Sequence, residues 1–192
     1  MGFLDALLGR TKPVQPNLDV LFAIPPAAYT LQAALDTRPT GAGAVCFKHA
    51  EGAGARQAET EFLDLLHLDP SIAVAVTTDE FGFTWITCRQ EVPDLAALVT
   101  ALHAINTTLS ENGFGPSLLC TVIAFATTGD HAPRRLGLVY LFKRGTFYPF
   151  APTGGQRRDS GFELQSRAAL SGELPIEPDL QRWFPLWDAP VP

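Results

Sequence analysis

Apolar residues recur along this chain with two periods, and the switch between them marks its elements. Between residues 93 and 112, Leu95, Leu98, Val99, Leu102, Ile105 and Leu109 fall three or four positions apart, which places them on one helix face. Asn112-Gly113 then supplies a left-handed stop. From 81 to 89, Phe81, Phe83 and Trp85 instead alternate with Gly82, Thr84 and Ile86, which predicts a strand at least half buried. Residues 136–142 are apolar except for the Tyr140 hydroxyl, the run expected of a central strand covered on both faces. Shorter apolar runs predict strands over 44–49, 72–76 and 118–126, and 162–170 reads as a short helix. Over 55–68, Phe62, Leu65 and Leu66 share one side and Glu59, Glu61 and Asp64 the other, an amphipathic helix ended by Pro70. Residues 18–35 are helical in pattern with Asn17 as N-cap, but Pro25 and Pro26 predict two short helices with a break. The stretch 39–43 reads as a turn.

The resulting order is a helical entry, then β-α-β-β-α-β-β, then a helical tail. Its central part matches the ferredoxin-like order, and the extra strand with N-terminal helices is also similar to small secretion-chaperone-like α+β folds. The fold class is therefore α+β: a single mainly antiparallel sheet of about five strands, helices packed on one face, and helical N- and C-terminal segments. Strands 72–76 and 81–89 form a hairpin with Asp79-Glu80 at its tip, both expected to face water. Residues 127–135 make a long hairpin loop. Residues 1–12 are an amphipathic N-terminal segment with Phe3, Leu4, Leu7 and Leu8 on one stripe, too short to be stable undocked. Pro13 and Pro16 stiffen a spacer over 13–17, and residues 18–192 form a single domain. In the tail, Trp183, Phe184 and Trp187 are too large to leave in water, so the tail is expected to lie back over the sheet as a lid.

Charge changes this picture in one place. A net charge of −6 opposes general nucleic-acid binding, which needs Lys and Arg to neutralise phosphates. Yet residues 134–158 hold Arg134, Arg135, Lys143, Arg144, Arg157 and Arg158 with no Asp or Glu, interleaved with Phe147, Tyr148 and Phe150. A cationic, aromatic rim on an otherwise acidic body is the sequence's one hint of a binding face. Lys143, Arg144, Arg157 and Arg158 suit an anionic headgroup or an acidic helix, with Phe147 or Tyr148 stacking; the competing reading is neutralisation of the chain's own acidic helix near residues 59–69.

Reactive chemistry is sparse. Cys46, Cys88 and Cys120 are odd in number, far apart and outside any C-x-x-C, so they read as small buried hydrophobes in a reducing cytoplasm. The histidines lack metal-ligand spacing, and no P-loop or G-x-S-x-G is present. No nucleophile, base and orienter can be placed together, so a non-enzymatic protein with no catalytic residue, metal or cofactor is expected. No apolar run approaches the roughly 18 residues of a bilayer span, and the N-terminal patch lacks the charge order of a signal peptide. His103, Asn106, Thr107 and Ser110 form an almost uncharged stripe on the long helix, either a bland solvated face or one buried against a second element.

Five blocks carry a family resemblance: MGFLDALLGRTKP, DEFGFTWI, LHAINTTLSENGFGPSLLC, LVYLFKRGTFYPFAP and DLQRWFPLWDAP. In this order, over nearly the whole chain, they resemble the PspA-associated protein PspAB family. The resemblance implies a bacterial accessory of the phage-shock envelope-stress system, cytoplasmic or peripheral at the inner face of the cell membrane. Its implied partners are a PspA-type coiled-coil protein or an HtpX-type membrane peptidase, and it brings no catalytic residues. The expected function is that of a non-enzymatic adaptor, with peripheral anionic-lipid or small-ligand binding as the alternative. Lys143, Arg144, Phe147, Tyr148, Arg157 and Arg158 are the expected partner-binding residues. Phe3, Leu4, Leu7 and Leu8 are the expected membrane or partner foot, with docking on the chain's own domain as the alternative.

Overall fold

The computed structural model describes residues 16–48, 70–129, 133–187 and 189–192. The predicted helix over 55–68 and the foot residues Phe3, Leu4, Leu7 and Leu8 lie outside the described residues. A 3-10 turn, Leu18–Ala23, runs directly into α1, Ile24–Leu35. Pro25 and Pro26 open α1 instead of breaking a helix, because the first turn needs no N–H donors from them. Together, Leu18–Leu35 has the length and composition of a bilayer span, which corrects the expectation that no such stretch exists. Its burial is one-sided: Leu21, Ile24, Ala27 and Leu31 are sealed against the sheet, while Tyr29 on the other side is 75% exposed.

Strands β1 (Thr37–Lys48), β2 (Ile72–Thr78) and β3 (Phe83–Gln90) follow, then α2 (Leu95–Leu109), β4 (Leu118–Thr127), β5 (Arg135–Leu141) and β6 (Thr146–Phe150). They form a six-stranded sheet of order β2-β3-β1-β4-β5-β6, antiparallel at every pairing. Placing β3 between β1 and β2, with β4 on the far side of β1, is the split arrangement expected of the β-α-β-β-α-β order. The β5–β6 hairpin extends it. A short ribbon of β7 (Pro152–Gly154) and β8 (Arg157–Arg158) leads into α3 (Ser160–Leu170).

Three local predictions change. The supposed turn at 39–43 is a bulge inside β1, where the register against β4 shifts between Pro39 and Gly43 and Gly41 takes φ +77°. The run 136–142 lies within the sheet and is covered on both faces, but β1 and β4 hold the middle. Residues 146–150, read as a surface rim, are a strand.

Both faces of the sheet are covered from β3 to β6, while the edge strand β2 is largely exposed. On the first, α1 and α2 pack on Val45, Phe47, Ile86, Ile123, Phe125 and Leu138. Approach there is close enough that a Cβ at Gly43 would stand 2.7 Å from Leu102 Cδ1. α2 is held by Asp94, whose side chain accepts from the Ala97 N–H at 3.0 Å, and it ends in a wider turn where Gly113 takes φ +89°. On the opposite face, Ala42, Ala44, Cys46, Trp85, Cys120, Val122, Tyr148 and Phe150 meet Trp183 and Val191. The tail thus lies over the sheet as its aromatic content predicts, although only Leu180–Arg182 is helical, as one 3-10 turn.

Candidate functional site

The six expected rim residues do not converge. Lys143 and Arg144 sit in the turn before β6 and Arg157 and Arg158 beyond its far end, so a five-residue strand of roughly 17 Å separates the pairs. Phe147 and Tyr148 are buried, because alternation along β6 sends Phe147 toward the helices and Tyr148 toward the tail. Phe147 packs on Tyr140 with ring centroids 5.1 Å apart, and Tyr148 stacks on Trp183 at 6.1 Å. Neither ring is available for stacking at the surface. Lys143 and Arg157 remain exposed.

Arg144 and Arg158 are engaged with two buried carboxylates that hold the C-terminal segment in place. Glu177 receives Arg144 Nε, the Thr146 hydroxyl at 2.9 Å and the Asp179 N–H at 3.2 Å. Burial pushes its carboxyl up, but the hydrogen bonds from Arg144, Thr146 and Asp179 outweigh that and hold it below its ordinary value of 4.5. Its backbone N–H donates to Phe147 O at 2.7 Å and its carbonyl accepts the Trp183 indole N–H at 3.1 Å, so the tail docks on the edge of β6. Glu163, on α3, accepts from the Ala151 N–H and from Arg158 Nε, each at 2.8 Å. Arg158 also donates to Trp183 O at 2.8 Å. The partners of these two arginines are therefore Glu177 and Glu163, and the acidic stretch near 59–69 lies outside the described residues.

The uncharged stripe on α2 is divided. Asn106 is buried and donates to Leu102 O and to Thr121 Oγ1, each at 2.8 Å. His103 rests on Phe22 and lies 3.3 Å from Asp19. At the hairpin tip Glu80 faces water as expected, but Asp79 does not simply do so: its carboxylate accepts from the Phe81 and Phe83 N–H groups and, at 3.0 Å, from the Trp85 indole.

That indole borders an apolar space beneath the tail. A cavity of about 370 Å³ opens between the sheet and the tail, lined by Cys46, Phe83, Trp85, Leu119, Cys120, Leu141, Tyr148 and residues 184–186. Cys46 and Cys120 are direct partners across β1 and β4, and Trp85 faces Cys46 across β3. The contact with the Cys120 thiol, followed by burial, pushes the Cys46 thiol well up, so it stays protonated at neutral pH. Burial does the same to the Tyr148 phenol, whose hydroxyl donates to Phe184 O at 2.8 Å. The wall therefore carries no charge, and its tyrosine and indole donors already have partners. Sequence reading placed the three cysteines correctly inside but treated them singly. Only strand register, which is set in three dimensions, brings two of them together.

A family model described as PspA associated protein B matches residues 1–191 of the chain. No curated protein and no solved structure matches it.

Proposed function

The chain belongs to the PspA associated protein B family, and from that premise we propose that it is a non-enzymatic adaptor binding a protein partner at or near the membrane surface. Membership associates it with the PspA system, and a PspA-type coiled-coil protein is the first partner to test. An HtpX-type membrane peptidase is the second. The family match is the observation that carries this reading. Local chemistry supports it: of the four cations expected to bind a partner, Arg144 and Arg158 are engaged by Glu177 and Glu163, while Lys143 and Arg157 are exposed with no ion pair among the described residues, suited to acidic side chains on a partner. The working location is the cytoplasm, peripheral to the inner face of the membrane, with Phe3, Leu4, Leu7 and Leu8 as the second contact.

A pull-down with purified PspA-type protein tests this. Lys143→Glu with Arg157→Glu should weaken capture and flatten its salt dependence, while deletion of residues 1–12 should remove any foot contribution. Thermal unfolding should scarcely change for the charge variant, since neither residue is buried. Capture that is unaltered by both changes rejects these two surfaces as the contact.

A further inference from the structure

The cavity under the tail has a chemistry of its own. Its lining residues lie toward the end of the sheet where β1 and β5 finish and β3 and β6 begin, with residues 184–186 lining it from the tail. Its volume of about 370 Å³ falls within the range of small-ligand sites, which usually combine apolar walls with a few placed polar groups. Here those groups are nearly all engaged: the Tyr148 hydroxyl is bound to Phe184 O, the Trp85 indole to Asp79, and the Cys46 and Cys120 thiols contact each other. A polar ligand entering this space would lose water and gain almost no hydrogen bonds. A hydrocarbon would lose nothing and fill a gap that the surrounding side chains leave.

That end of the sheet carries the opposite character. Alternation along β1 places Lys48 on the same face as Cys46, two residues further toward the end of the strand, and its cross-strand partner is the lining residue Phe83. Lys48 is exposed and makes no ion pair among the described residues. One cation two residues beyond an uncharged, apolar chamber, with the Asp79 carboxylate at the same end already taken up by the Phe81 and Phe83 N–H groups and the Trp85 indole, matches a ligand with a hydrocarbon chain and an anionic head.

We propose that the cavity between the sheet and residues 184–186 binds an acyl chain, with the Cys46–Cys120 pair as its floor and Lys48 receiving the anionic head. This goes beyond the adaptor reading and does not depend on the partner's identity. A carboxylate-headed fatty acid and an anionic phospholipid present the same chemistry, and the experiment separates them.

Tryptophan emission reports the contact, since Trp85 lines the cavity and a brominated chain quenches an indole it touches. The full-length protein is titrated with dibromostearate below its micelle concentration, and separately with vesicles of brominated phosphatidylglycerol. Saturable quenching by either supports the site; quenching by dibromostearate alone identifies the free acid, and quenching by vesicles identifies the membrane lipid. Cys120→Leu extends a floor side chain into the cavity and should weaken binding about tenfold, as displacing roughly two buried methylenes would. Lys48→Glu should weaken dibromostearate about threefold, as loss of an exposed charge pair would, and leave a brominated long-chain alcohol unaffected.

Phe184, at the roof, is 56% exposed and matters little to folding, so Phe184→Ala provides a second variant with the same expected loss of quenching if Cys120→Leu does not fold. No saturable quenching from either probe overturns the proposal, as does equal quenching in wild type and the folded cavity variants. A space occupied only by a partner protein's side chain gives that negative result and overturns it too.

Discussion

The two faces of the sheet are closed by different means. On the helical face, branched aliphatic and aromatic side chains from the strands meet Leu31, Leu98, Leu102 and Ile105 from α1 and α2, and periodic helices fill the grooves between them. The opposite face mixes small residues, Ala42, Ala44, Cys46, Cys120 and Ala124, with the rings of Trp85, Tyr148 and Phe150, and is covered by a tail with almost no regular structure. Lacking a repeating apolar stripe, the tail docks at discrete points: Glu177 on β6, Arg158 on Trp183 O, and Tyr148 on Phe184 O. Small side chains under an irregular cover leave the 370 Å³ cavity. One face gains stability from continuous packing, while the other places a few polar contacts around a space.

The contrast is broken most strongly from the helical side. Leu102 is fully buried and its methyl group occupies the space left by Gly43, so Leu102→Ala leaves a hole that rigid strands cannot close. A loss of about 2–5 kcal/mol is expected, seen as a lower urea midpoint with one cooperative transition. A split transition would mean that the helices and sheet do not unfold together.

Tail docking is sharpened through Glu177. Because its folded-state carboxyl is held below its ordinary value of 4.5, its contribution is complete above that value and is lost as pH falls through the lower, folded-state value. Acidification below pH 4.5 should therefore loosen the segment, raising amide exchange at Phe147 and Trp183, whose N–H groups bond to Pro175 and Leu180. Glu177→Gln removes the charge that faces Arg144, and should cost about 1–3 kcal/mol at neutral pH and flatten this acid response. Protection of those amides that is lost on acidification as steeply in the variant as in wild type would assign the effect to another carboxylate.

Much of this arrangement was legible in the sequence, and the exceptions share a cause. α2 was readable because its six spaced apolar residues and its Asn112-Gly113 stop agree, and the strands around Trp85 and Val139 because their local pattern decides them. β6 was misread because Thr146–Phe150 is short and follows a cationic turn, so its rings resembled a surface until cross-strand pairing with β5 assigned them to two interiors. Glu177 and Glu163 were not legible as the partners of Arg144 and Arg158, for which the acidic stretch near 59–69 was the nearest candidate, because they lie 33 and 5 residues away and meet them only after folding. The cysteine pair was hidden for the same reason, since nothing local to Cys46 indicates that residue 120 will stand opposite.

The smallest expected effect tests how the tail's last turn is held. Tyr148 is buried by its ring, stacked on Trp183, and its hydroxyl reaches one acceptor, Phe184 O. Tyr148→Phe keeps the ring and removes that donor, leaving a carbonyl beside the cavity. Since Phe184 is half exposed, water can replace the lost partner, so the cost should be no more than about 1 kcal/mol. Global unfolding should barely shift, whereas exchange of the Ala189 amide, which bonds to Leu186 O in the roof, should rise, because the Tyr148 bond ties the roof to β6 while the sheet is held by its own ladders. Equal exchange in the variant would mean that Trp183 packing and the Arg158 bond to Trp183 O hold the roof without the hydroxyl. A large global loss would instead place the tail within the same cooperative unit as the helical face, erasing the distinction between the two.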